Sequence, residues 1–118
     1  MNKVAVGFRG QEEAEKFLSE KGAEILQRNY RVRFGEIDLI CRASGVIIFA
    51  EVKFRRGAGF GSPAEAVGYA KQQKIIQTAM HYIAENNLCD NDFRFDVIEV
   101  LEENGRIFVN QIENAFGA

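Results

Sequence analysis

Cysteine, histidine and proline are scarce in this 118-residue chain, and no long apolar run occurs. The two cysteines, Cys41 and Cys89, stand apart without partners at metal-ligand spacing, and two thiols are too few to staple a small secreted scaffold. Both read as reduced packing residues of a cytoplasmic protein. The single histidine, His81, falls within a helical stretch and reads as a packing or surface residue, outside any candidate site. The single proline, Pro63, and the glycines mark turns rather than linkers, and there is no internal repeat or low-complexity tract. No stretch nears the roughly 20 apolar residues that cross a bilayer. The opening Met-Asn-Lys-Val-Ala-Val-Gly also lacks the apolar core of a signal peptide, so no membrane association is expected.

What is present is enough for one core: 47% of the residues are hydrophobic, and the length suits a single domain spanning 1–118, with residues 1–8 expected to be flexible. The net charge of −2 hides an uneven distribution. Residues 1–27 carry 4 basic and 5 acidic side chains, residues 28–56 carry 7 and 3, and residues 57–118 carry 4 and 9. The three acids of the basic middle segment are Glu36, Asp38 and Glu51; a cation that neutralises them leaves the segment wholly basic, which suits a phosphate-bearing partner.

Hydrophobic periodicity predicts the element order α-β-β-β-α-β-β. Ala14, Phe17 and Leu18 fall at helical spacing between Gln11 and Lys21, with Gly22 as the stop. Strand-like runs follow at 24–32, 36–41 and 46–53, punctuated by Gly35 and Ser44-Gly45, and read as an antiparallel meander. Gly57 to Ser62 reads as a connection in which Phe60 could stack on a base. Ser62-Pro63-Ala64-Glu65 supplies an N-cap, a first-turn proline and a capping-box glutamate for a helix to about Asn86, burying Val67, Ala70, Ile75, Ala79 and Ile83. Two further strands, at 94–101 and 106–111, flank Asn104-Gly105. Together these give an α/β domain with a mixed five-stranded sheet in three layers.

The chemistry is expected in the second hairpin. A tight turn at Ser44-Gly45 pairs Ala43 with Val46 and Ile40 with Phe49, and the same register sets Asp38 opposite Glu51 and Glu36 opposite Lys53. Alternation then puts these four on one face and Ile37, Leu39, Ala50 and Val52 on the other. Two facing carboxylates repel unless a proton or cation lies between them, and an open two-carboxylate site suits Mg2+, with Mn2+ as a substitute. Lys53 shares their face and can position or deprotonate a water or stabilise developing charge. Arg31, Arg33, Arg55 and Arg56, with Lys71 and Lys74 of the second helix, are the candidate phosphate-binding residues. The competing reading makes the hairpin acids a solvated face, but apolar neighbours such as Leu39, Ile48 and Phe49 suggest a sheet covered on both sides. Asp96 is left open between a supporting role and a local hydrogen-bond cap.

Several segments carry a resemblance: Arg28-Asn-Tyr-Arg31, Gly35-Glu-Ile-Asp-Leu-Ile40, Phe49-Ala-Glu-Val-Lys53, Ala66-Val67 to Lys74, Arg94-Phe-Asp-Val97 and Asn114-Ala-Phe116. Over most of its length the chain resembles the YraN-like family of uncharacterised bacterial proteins, which look like relatives of Holliday-junction resolvases in the PD-(D/E)XK nuclease superfamily. The resemblance implies a restriction-endonuclease-like fold, metal binding at Asp38 and Glu51, Lys53 as catalytic lysine, and action on DNA or RNA. Ile37 replaces the proline of the superfamily's name, which supplies no ligand. Gln11 stands where the family usually carries a glutamate in the first helix, so either metal binding is weakened or Glu12 substitutes.

The expected function is therefore a metal-dependent endonuclease hydrolysing phosphodiester bonds, with branched DNA as the candidate substrate and a homodimer compatible. Two other classes stay open: a non-catalytic nucleic-acid-binding module with a degenerate nuclease site, and a protein-interaction domain.

Overall fold

The computed structural model describes residues 3–57 and 67–117, with side chains from Gly10 onward. Helix α1 (Lys3–Glu20) buries Ala14 and Leu18, one turn apart, and stops at Gly22. There φ is +93°, and the Ala23 N–H donates to the Leu18 carbonyl at 3.0 Å, the six-residue closure that left-handed glycine allows. The helix begins well before Gln11, at Lys3, because extending a formed helix costs less than starting one.

Strands β1 (Glu24–Val32), β2 (Gly35–Ala43) and β3 (Val46–Arg56) form the expected antiparallel meander. Ser44 and Gly45 have φ of +51° and +78°, as do Asn104 and Gly105 at +52° and +78° in the turn joining β4 (Asp92–Glu103) to β5 (Arg106–Phe116). Such two-residue turns match the twist of the strands and lock the register at Ala43–Val46 and Glu103–Arg106. Helix α2 (Tyr69–Glu85) intervenes before β4, which lies parallel to β3, so the sheet is mixed with order β1-β2-β3-β4-β5.

Among the described residues each face of the sheet carries one helix. Ala14 and Leu18 of α1 pack on Leu39, Cys41, Ile48, Ala50, Ile98 and Val100. Ile75, Ala79, Tyr82 and Ile83 of α2 pack on Ile40, Ile47, Phe49, Phe95 and Val97 of the other face. Successive residues of β3 thus serve opposite cores, which is why its sequence is apolar without alternation.

Three expectations are corrected. Ile37 packs with Tyr30 in the α2-side core and not on the face of Leu39. Asn29, between Arg28 (paired with Leu39) and Tyr30 (paired with Ile37), has φ of +51°, and a left-handed residue inside a strand re-aims the side chains beyond it. The second helix is not continuous through Val67: Gly68, extended at φ −71° and ψ 161°, is its N-cap, and Val67 is buried ahead of it. Ala70, expected in the core, is exposed in the helix's first turn. The proposed cap at Ser62-Pro63-Ala64-Glu65 and the Phe60 loop lie outside the described residues.

Candidate metal and nucleic-acid site

The β2–β3 ladder runs in the expected register from Ala43–Val46 to Leu39–Ala50 and ends there. Past that pair the Asp38 carboxylate replaces backbone as acceptor: Oδ2 takes the Val52 N–H at 2.8 Å. This fixes Asp38 at the place where the strands part and holds its carboxylate against that of Glu51.

Glu51 is buried on the α2 side, in the alternation set by Phe49. Burial, then the charge of Asp38 and a hydrogen bond shared with it, push the Glu51 carboxyl up to about 8, while Lys71 pulls it back. The Lys71 ammonium lies 3.2 Å from Glu51 Oε1. Burial alone would lower Lys71, but the charge and hydrogen bond of Glu51, with Asp38 and Glu36, hold it above the usual lysine value. Lys53, half-buried, is lowered by desolvation and by the neighbouring Lys71 charge, against the pull of Glu51 and Asp38. Two carboxylates and two amines thus lie close together, Glu51 buried and the other three partly or largely open to solvent.

This donor set fits magnesium. Two hard oxygen ligands in contact, one of them inclined to keep a proton because of the other, are relieved by a divalent cation. Among the described residues no group of three or more acidic, histidine or cysteine ligands occurs, so a cation here would have only these two carboxylates as protein ligands of that kind.

Asp38, Glu51 and Lys53 lie together, although the ladder expected to pair Asp38 with Glu51 ends one residue short of them. Glu36 is not placed opposite Lys53: the ladder stops short of it, and its exposed carboxylate takes Arg31 Nε at 2.7 Å. Gln11 and Glu12 line a hollow with Glu15, Arg28 and Asn29 along β1, and among the described residues neither hydrogen-bonds the acid pair. Arg55 approaches the buried Glu99 at 3.4 Å, and Arg56 approaches Glu102 at 3.6 Å. Arg33 and Lys74 are exposed and make no ion pair among the described residues.

Asp96 belongs to the framework. Fully buried, it accepts from Arg94, from Gln111 Nε2 at 2.9 Å and from the Asn114 backbone N–H at 3.0 Å, clamping an irregularity in the β4–β5 ladder.

Sequence reasoning placed Lys71 among surface phosphate binders and so missed its place beside the carboxylates. The signal was available: Lys71, Ile75, Ala79 and Tyr82 are spaced as one helix stripe, so this lysine continues the core-facing stripe. Glu99 was missed as well. An acid between Ile98 and Val100, it is buried on the face of Val97, level with Lys53 in the parallel register, and its Oε2, approached by Arg55, makes no hydrogen bond among the described residues.

Residues 10–100 match the model of a family described as Uncharacterised protein family UPF0102. A UPF0102 protein of Clostridioides difficile is 47% identical over 116 residues, covering 98% of this chain and 100% of that protein. One from Caldanaerobacter subterraneus is 44% identical over 119 residues, 98% of each, and one from Nocardia farcinica is 48% identical over 100 residues, 85% of this chain and 79% of that one.

Proposed function

The chain belongs to the uncharacterised protein family UPF0102, whose description names no activity, and we propose from the site itself that it is a magnesium-dependent nuclease hydrolysing phosphodiester bonds in DNA. The observation that carries this reading is the contact of Asp38 and Glu51 where the β2–β3 ladder opens, with Lys53 and Lys71 beside them.

Asp38 and Glu51 would hold the ion. Magnesium bound there supplies activation of water and neutralises charge on the phosphate oxygens. Lys53, drawn below the usual lysine value first by desolvation and then by the Lys71 charge, accepts a proton at Nζ from the attacking water when neutral, or as ammonium steadies the developing charge. Lys71 balances Glu51 and, reaching from the start of α2, offers its ammonium to a phosphate oxygen. The Val52 N–H keeps Asp38 from swinging away, a positioning role carried by backbone.

One observation favours a second reading, a non-catalytic DNA-binding module: Gln11 stands along β1 and no third carboxylate joins the pair among the described residues. Cleavage of labelled duplex, single-stranded, flap and four-way-junction DNA with magnesium or manganese separates the two. The nuclease reading expects wild type to cut, with Asp38→Asn and Glu51→Gln each losing about 10²-fold or more. Wild type that binds but never cuts leaves the module.

A further inference from the structure

A second hollow adjoins the acid pair. It measures about 480 Å³, inside the roughly 300–1,000 Å³ range of ligand clefts, and is lined by Phe34, Gly35, Glu36, Ala70, Lys71, Lys74 and Ile75. The β1–β2 turn spends its two residues on Arg33 and Phe34, although such turns favour asparagine and glycine. Phe34 is left 45% exposed.

The turn is held firmly. Gly35 lies directly on α2, where a Cβ would collide with Thr78 Oγ1 and come within 3.3 Å of the Lys74 carbonyl. The Phe34 ring meets His81 edge-on, with centroids 6.1 Å apart. An aromatic wall thus faces an apolar floor of Ala70 and Ile75, with Lys71 and Lys74 on the rim and Glu36, whose carboxylate is taken by Arg31, beside them. A single exposed phenylalanine is ordinary; one at the mouth of a cleft with two lysines on its rim is the arrangement that takes a base on a ring and a phosphate on the rim. Lys71 belongs to both places, lining this hollow and touching Glu51.

We propose that this hollow is a subsite for an unpaired base of DNA, stacked on Phe34 beside the strand position presented to Asp38 and Glu51. The inference rests on the nuclease reading for its orientation and names the substrate class: single-stranded or branch-point DNA, which exposes an unpaired base, rather than continuous duplex.

Binding in EDTA tests it without cleavage, using a short single-stranded oligodeoxynucleotide carrying 2-aminopurine, its duplex and its RNA counterpart. Phe34→Ala should weaken the single strand roughly ten- to a hundredfold, the range of one base–aromatic stack, and barely change the duplex. Wild type should quench 2-aminopurine, Phe34→Ala should not, and Phe34→Trp should restore both. Equal loss on single strand and duplex, no loss on the single strand, failure of tryptophan to rescue, or tighter binding of the RNA overturns the proposal. Loss of cleavage in Asp38→Asn with Phe34-independent binding sinks the subsite alone; Phe34-dependent binding by a protein that never cuts sinks the nuclease alone.

Discussion

Glu51 carries the least comfortable charge in the molecule, and its energetics can be read without any ligand. Its carboxyl rises from 4.5 to about 8 through burial and the Asp38 charge, so the folded chain holds this proton more tightly than the unfolded one. The resulting stability is complete below pH 4.5 and is lost as pH climbs through 8. Glutamine copies the protonated form and cannot ionise. In EDTA, Glu51→Gln and wild type should therefore unfold alike near pH 4.5, and the variant should become more stable at pH 9, by something on the order of 1–3 kcal/mol. Urea unfolding at both pH values checks this; a difference independent of pH would show that Glu51 is not strained. Magnesium should reverse the order at pH 9, since only wild type keeps both carboxylates.

At the scale of elements, the site depends on two close approaches without an intervening side chain. Gly10 of α1 sits against Phe54 of β3, where a Cβ would fall 2.9 Å from the phenylalanine Cβ, and Gly35 of β2 sits against Thr78 of α2. The second contact sets how near α2, and with it Lys71, comes to the sheet. Thr78 Oγ1 cannot easily retreat, because it donates to the Lys74 carbonyl at 2.7 Å. Gly35→Ala should cost about 1–3 kcal/mol as overpacking. Adding Thr78→Ala should return part of that loss, and a double-mutant cycle by chemical denaturation measures the coupling. Strictly additive costs would mean that the helix and hairpin do not press on each other here.

For the whole molecule, net charge is a poor guide to partners. The chain is −2 overall, yet many of its acids are committed internally: Glu15 to Arg28, Glu36 to Arg31, Glu51 to Lys71, Asp96 to Arg94 and Glu99 to Arg55. The exposed cations around the hairpin turn face outward. Single-stranded DNA binding in EDTA should fall with salt at a log–log slope of about −1.4, roughly 0.7 for each of Arg33 and Lys74, which make no ion pair among the described residues. The double glutamine variant should flatten it. A flat dependence in wild type would remove phosphate recognition by this surface.

Much of this architecture was already written in the chain. Ser44-Gly45 and Asn104-Gly105 dictate their turns because both central residues must be left-handed, and the first of them sets the register as far as Leu39–Ala50, one residue short of Asp38 and Glu51. The two apolar stripes, at Ala14 and Leu18 and at Ile75, Ala79 and Ile83, determined that two helices would cover the sheet. Local pattern could not say where the ladder ends. The left-handed Asn29, the Val52 N–H taken by Asp38 and the start of α2 at Tyr69 had no counterpart in the hydrophobic pattern. Only the tertiary arrangement decided that Glu36 turns outward to Arg31, that Lys71 turns inward to Glu51, and that Phe34 stands at the edge of the cleft between them. Side chains far apart in sequence acquire a shared, poorly solvated environment only when the layers close over them, and that environment gives Glu51 and Lys53 their altered chemistry.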